Sequence, residues 1–176
     1  MWLNLNLDGI DLHLQITGYK KSDPKKWDDQ WCGVDITLES SNRLNYHISS
    51  SILESCEVEE IRDTIADLLQ DKITTEQEMT FTEPELTFIL HPKRDLRMDT
   101  KYIYIAPGHE IVDIDADLHI YFWNGGLTAN YLSLCFDRTD LEKLLVYLEL
   151  ITKKISKNSD EVQELIAADI LREYYN

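Results

Sequence analysis

The chain has 176 residues, of which 33 are Asp or Glu and 17 are Lys or Arg, so its formal net charge is −16 at pH 7. This excess of acid argues against DNA, RNA or an anionic membrane as a direct partner, because phosphate binding requires clustered cations. Three cysteines without a Cys-x-x-Cys pair favour a reducing compartment, so we expect a cytoplasmic protein, and no apolar run approaches the roughly 20 residues of a membrane helix.

The first third of the chain has the period-2 alternation of β-strands. Residues 3–7 and 10–16 alternate around Asp8-Gly9, a pair that favours a tight hairpin because both central residues of a type I′ turn need positive φ. A polar loop is expected over residues 19–30. Strands are predicted at residues 31–39 and 44–49, paired with each other.

Helical spacing begins after Ser55, which is the predicted N-cap. Residues 57–71 place Val58, Ile61, Ile65, Leu68 and Leu69 on one face, as in an amphipathic helix. Two strands follow at residues 77–82 and 85–91. Pro84 between them indicates a turn, because proline cannot donate to a β-ladder.

The second half predicts three more strands and two helices. A short strand is expected at residues 101–106. Strands at 117–123 and 130–136 are joined by Asn124-Gly125-Gly126, and Cys135 is expected to be a packed strand residue.

A capping box at Thr139-Asp140-Leu141-Glu142 begins a long helix that reaches about Lys157. A last helix is predicted at about residues 160–174. Together these elements predict one α+β domain over residues 1–176, a mainly antiparallel twisted sheet with about three helices packed on one face.

The negative charge is concentrated in one segment. Residues 57–90 hold 10 acids and 2 bases, which is half of the net excess. On the predicted helix, four acids form a row opposite the apolar face, which we call the acidic stripe: Glu60, Asp63, Asp67 and Asp71. Such a row is either a solvated face or a surface for a basic partner, and Glu83 and Glu85 are further candidates on the following strands.

Motifs for catalysis, metals and cofactors are not found. The five histidines have no metal-ligand spacing, and the chain lacks a nucleophile elbow, a P-loop and a Gly-x-Gly-x-x-Gly string. We therefore expect a protein that is not an enzyme and binds no cofactor. Two alternatives stay open, namely a small-ligand or carbohydrate module using Trp27, Trp31 and Trp123, and a hydrolase using His109 with a carboxylate.

Two short strings carry a family resemblance. Trp27-Asp28-Asp29-Gln30-Trp31 follows the first hairpin, and Phe81-Thr82-Glu83-Pro84-Glu85-Leu86-Thr87-Phe88 follows the first helix. In this order, with a later Leu-rich helix, they resemble the WapI-type immunity proteins of bacterial contact-dependent toxin systems. The resemblance spans about residues 9–156 and leaves the last helix outside.

The resemblance implies a small cytoplasmic protein that binds and blocks the toxic C-terminal domain of a secreted polymorphic toxin, often a nuclease. It carries over no catalytic residues. Combined with the acidic segment, it predicts that the carboxylates of the stripe, with Glu83 and Glu85, cover the basic surface of such a toxin.

Overall fold

The computed structural model describes residues 1–21 and 30–173. Every pairing among the described strands is antiparallel. In chain order the elements are β1 (Trp2–Leu7), β2 (Ile10–Thr17), β3 (Trp31–Ser40), β4 (Leu44–Glu54), α1 (Ser55–Leu69), β5 (Gln77–Thr80), β6 (Leu86–His91), β7 (Arg94–Asp95), a 3₁₀ turn (Leu96–Met98), β8 (Ile111–Val112), β9 (Asp115–Trp123), β10 (Leu127–Asp137), α2 (Arg138–Ile151), α3 (Asp160–Ala167) and β11 (Leu171–Arg172).

These elements confirm the predicted α+β class, with antiparallel sheet and three helices in the described residues. The strands divide between a five-stranded sheet, ordered β11-β1-β2-β3-β4, and a four-stranded sheet, ordered β10-β9-β6-β5, with β7 and β8 as a separate pair. Strand alternation shows which side chains share a face, but not how many sheets the strands form. The division therefore has no sequence signal of its own.

The predicted hairpins form where the turn residues allow them. Asp8 and Gly9 both have positive φ, 49° and 90°, and Leu7 pairs with Ile10 across the turn. Gly125 has a φ of 67° between β9 and β10. Pro84 lies in the turn between β5 and β6, as predicted.

One buried core joins both sheets and the helices. Helix α2 contacts β1 of the five-stranded sheet, β9 and β10 of the four-stranded sheet, and α1. Tyr46 of β4 and Phe122 of β9 meet edge to face with ring centroids 5.7 Å apart, which joins the two sheets directly. Helix α1 buries its predicted apolar face, including Val58, Ile65 and Leu68.

Both predicted helix starts are displaced. The N-cap of α1 is Glu54, and the Ser55 hydroxyl instead donates to the Gln30 carbonyl at 2.9 Å. The N-cap of α2 is Asp137, whose carboxylate accepts from the Asp140 N–H at 2.8 Å, because β10 runs directly into the helix. The capping box predicted at Thr139 is therefore wrong by two positions.

Three other predictions are wrong in extent or type. Helix α2 ends at Ile151, where Lys153 turns to a φ of 60°. Helix α3 ends at Ala167 for the same reason, since Asp169 has a φ of 62°, and the chain then adds β11 to the edge of β1. Residues 101–106 form no strand, because they lie in a long loop with no strand beside them.

Candidate partner-binding site

The acidic stripe runs along α1 as the spacing predicts. Glu60 and Asp63 are exposed on the helix, Asp67 is partly exposed, and Asp71 follows the helix end with a φ of 55°. The opposite face of α1 packs into the core. The stripe is therefore an outer surface of the molecule, although its four carboxylates have different surroundings.

Asp63 is held firmly by cations of its own chain. The Arg62 guanidinium donates to both carboxylate oxygens, with Nε–Oδ1 at 2.9 Å and Nη2–Oδ2 at 2.8 Å, and Lys154 Nζ donates to Oδ1 at 2.7 Å. These hydrogen bonds, first of all those from Arg62, lower the pKa of Asp63 to about 2. The Arg62 side chain is only 7% exposed. Since Lys154 follows α2, the ion pairs of Asp63 join α1 to the segment after α2.

The other stripe residues are held loosely. Lys72 Nζ lies 2.7 Å from an Asp67 oxygen, and both side chains are at least half exposed. Arg138 Nη2 lies 3.8 Å from Asp71, and its stronger pairing is with Asp113 at 2.9 Å. Glu60 forms no salt bridge to the described residues. These three carboxylates are the stripe members that a partner's cations can reach.

Glu83 and Glu85 lie in the turn beside the start of α1. The buried Glu57 carboxylate connects the two, because it accepts from the Glu54 N–H at 2.7 Å and from the Thr82 N–H at 2.6 Å. Glu83 is partly exposed. Glu85 points inward, since its Oε2 is buried without a partner among the described residues and its negative charge adds to the burial that raises the pKa of Tyr46.

A cleft of about 440 Å³ marks the limit of the acidic surface at the α1–α2 junction. Its lining is mainly cationic: Lys21, Arg62, Lys153 and Lys154, with Tyr19, Glu59 and Thr152. Tyr19 donates to Glu59 at 2.6 Å, which occupies the one acid in this lining. The surface that presents negative charge is therefore the outer side of α1 and not this cleft.

Of the tryptophans predicted to form an aromatic cleft, the two that the structure describes, Trp31 and Trp123, lie apart. Trp27 lies outside the described residues. Trp123 is next to Phe122, whose ring packs on Tyr46. Tyr46 pairs with Leu38 of β3, and Trp31 lies seven residues before Leu38 along that strand. At about 3.3 Å per strand residue, that separation is roughly 23 Å. Beside Trp123 there is instead a small cluster in which His119 and Tyr131 stack with centroids 4.3 Å apart.

The residues considered for catalysis are not assembled either. His109 is exposed in the loop between β7 and β8, and within the described parts of the chain its ring has no carboxylate partner. The neighbouring Glu110 carboxylate accepts from the Gly108 N–H at 2.9 Å. No group of three or more His, Cys, Asp or Glu side chains that could hold a metal ion occurs among residues 1–21 and 30–173.

The prediction that Cys135 is a packed residue is wrong. It lies on the outer side of β10 and is exposed. Partial desolvation of the thiol raises its pKa, and the negative charges of Asp117 and Asp115 raise it further. The thiol therefore stays protonated near neutral pH and lacks the thiolate character of a nucleophile.

Comparison with known proteins decides the family. A family model described as "Immunity protein WapI-like family" matches residues 3–156. The chain belongs to the WapI-like immunity protein family. Membership implies a toxin-inhibitor role, and the match begins at β1 and ends before α3. No curated protein matches the sequence significantly, and no helix in the described residues is long and apolar enough to cross a membrane.

Proposed function

We propose that this WapI-like immunity protein is a non-catalytic inhibitor of a basic, nuclease-type toxin domain. Its acidic surface, made of the stripe with Glu83 and Glu85, covers the cationic surface with which the toxin holds nucleic acid phosphates. The observation that carries the proposal is the concentration of charge, with 10 acids and 2 bases in residues 57–90 of an immunity-family chain. Electrostatic potentials of opposite sign on two protein surfaces accelerate their encounter and orient them.

The contacts within the stripe support a division of roles. Exposed ion pairs contribute only about 0–1 kcal/mol, so a toxin lysine or arginine can replace Lys72 on Asp67 or Arg138 on Asp71 at little cost. Glu60 needs no such exchange. Asp63 and Glu85 add to the negative field, but Asp63 is occupied by Arg62 and Lys154 and is not expected to bind the partner directly.

We place this action in the cytoplasm, where a toxin domain would meet its target. The chain has three widely spaced cysteines and no Cys-x-x-Cys pair, which fits a reducing compartment.

The test compares two charge reversals of equal size against the cognate toxin domain. Glu60→Lys with Asp67→Lys changes the stripe. Glu161→Lys with Glu164→Lys changes two exposed acids of α3, outside the family match, and serves as the matched control. Association rates are measured by surface plasmon resonance at 50 and 300 mM NaCl, and growth rescue is scored on co-expression.

We expect the stripe variant to associate at least tenfold more slowly at low salt and to lose most of its salt dependence, while the control stays within about threefold of wild type. Equal rates for the two variants would contradict the acidic-surface mechanism, even if the wild type protects cells. A wild-type protein that neither binds the toxin nor rescues growth would overturn the inhibitor function itself.

A further inference from the structure

The strands β6 and β9 continue beyond the four-stranded sheet as a projecting arm. In the sheet, Leu86 pairs with Ile120 and His91 with Asp115, and beyond it Arg94 pairs with Val112 in the same register. The ladder is interrupted at Pro92, which has no N–H to donate. Residues 86–120 are thus one long hairpin, and we call its outer part, residues 94–112, the arm.

The arm ends in an apolar tip. Eight large hydrophobic side chains are exposed in the described residues, and five of them belong to the arm. Met98 is 83% exposed, Tyr104 77%, and Ile103 fully, and Tyr102 and Ile111 are about half exposed. Exposed apolar side chains grouped in this way mark interaction sites, whereas single scattered ones are ordinary.

The arm also differs in charge from the rest of the chain. It contains three bases and three acids, so it is neutral within a chain of net charge −16. Arg97 is paired with Asp95 at 2.6 Å, and Arg94 lies 3.7 Å from Asp115. Two of the arm's three bases therefore already have partners within the chain, and the arm as a whole adds no net charge beside the apolar tip.

The arm adjoins the acidic stripe. A cleft at its root is lined by Asp71, the last stripe residue, with Ile73 and Thr74 on one side and Lys93, Arg94, Asp95 and Ile111 on the other. A partner that lies on the stripe and extends past Asp71 therefore meets the arm next. This continuity connects a charged surface to an apolar protrusion, and protein interfaces combine apolar and polar contact areas.

We propose that the tip of the arm enters a concave, apolar part of the same cationic toxin domain and is the main source of affinity in the complex; this rests on the proposed function. A protruding loop fits a recess, and enzyme active sites are recesses lined largely by apolar and aromatic side chains. A second copy of this chain is the less favourable occupant, because two molecules of net charge −16 repel each other, whereas the proposed toxin is attracted.

The test uses two triple variants of the full chain, each with three exposed large hydrophobics replaced. The arm variant combines Met98→Ser, Ile103→Ser and Tyr104→Ser. The matched control, at the opposite end of β9, combines Trp123→Ser, Leu127→Ser and Tyr131→Ser. Thermal unfolding checks folding, biosensor kinetics against the toxin domain give Kd, and light scattering gives the mass of the free protein.

We expect the arm variant to unfold within about 2 °C of wild type and to bind at least 100-fold more weakly, chiefly through faster dissociation, with the control within about threefold. Wild-type affinity in the arm variant would overturn the proposal and leave the inhibitor function intact. A wild-type dimer that the arm variant converts to monomer would assign the tip to a second copy. A wild type that binds no toxin would overturn the proposed function together with this occupant.

Discussion

The phenolic oxygen of Tyr147 accepts a hydrogen bond from the backbone N–H of Ile16 at 2.7 Å, across 131 positions of sequence. Ile16 lies near the end of β2, beyond Leu14, which is the last β2 residue to pair with β1. The Tyr147 hydroxyl, which belongs to α2, is thus the acceptor that a β1 carbonyl would provide if the β1–β2 ladder continued to Ile16. Tyr147 is fully buried, and this burial raises the pKa of its hydroxyl.

Replacing Tyr147 by Phe should therefore destabilise the fold by about 1–3 kcal/mol, because the Ile16 N–H is left buried without an acceptor. The measurement is urea denaturation followed by circular dichroism. Tyr46→Phe is the matched control, since the Tyr46 hydroxyl has no hydrogen bond to the described residues, and it should change stability by less than about 0.5 kcal/mol. Equal losses in the two variants would refute this role for the hydroxyl.

Acid unfolding should depend on Asp63. Its pKa of about 2 lies below the ordinary 3.8, so the stabilisation from Arg62 and Lys154 is complete above about pH 4 and is lost as the pH falls towards 2. Asp63→Asn should reduce the slope of unfolding free energy against pH between pH 4 and 2, measured by urea titrations at fixed pH. Glu60→Gln, which removes a carboxylate without those partners, is the control, and a similar change in both variants would argue against the assignment.

The buried Glu57 carboxylate should be essential for joining α1 to the turn after β5. Glu57→Ala leaves the N–H groups of Glu54 and Thr82 without their acceptor, which should cost about 2–4 kcal/mol at roughly 1–2 for each lost partner. Differential scanning calorimetry measures the change. Glu60→Ala, one turn further along the exposed side, should stay within about 0.5 kcal/mol. A Glu57→Ala protein as stable as Glu60→Ala would contradict this account.

The segment after the family match should be part of the stable fold. Truncation after Ser156 removes α3 and β11, whose Val162 and Leu171 are buried, and exposes the edge of β1. Burying two such side chains contributes roughly 3–6 kcal/mol, so we expect a matching loss of stability and concentration-dependent association through the open edge. Chemical denaturation and light scattering measure both effects.

Two point variants keep this prediction testable if the truncated chain does not fold. Val162→Ala should lower stability by about 1 kcal/mol or more, whereas Glu161→Ala at the neighbouring exposed position should have little effect. An unchanged midpoint in Val162→Ala would show that α3 does not contribute to the core.

Local chemistry made much of the fold predictable. The hairpin at Asp8-Gly9 and the buried face of α1 follow from turn preferences and periodicity within a few residues. The N-cap of α1 was missed because the hydroxyl of Ser55 is committed to Gln30, a contact between separate elements. The strand predicted at residues 101–106 failed because alternation describes a strand's faces but not the presence of a partner for its ladder.

The candidate site was likewise predictable in its local part but not in its contacts between distant residues. Helical spacing places the acidic stripe on one side of α1, but Lys154 lies 91 positions from Asp63, so its ion pair appears only in three dimensions. The arm was missed altogether. Two sequence features could have predicted the arm. Pro92 interrupts the hairpin, and a run of Tyr and Ile ending at Pro107-Gly108 has no apolar segment opposite it.

The pairing of β1 with β11 has a consequence for synthesis. Leu3 finds its partner only when Leu171 has been made, and at roughly 5–20 residues per second that takes about 8–34 s. Throughout this interval the outer edge of the first strand is open on the ribosome. The chain is therefore most prone to strand mispairing before it can act as an inhibitor. The rate of translation, and not the stability of the folded protein, sets how long the edge of β1 stays unpaired.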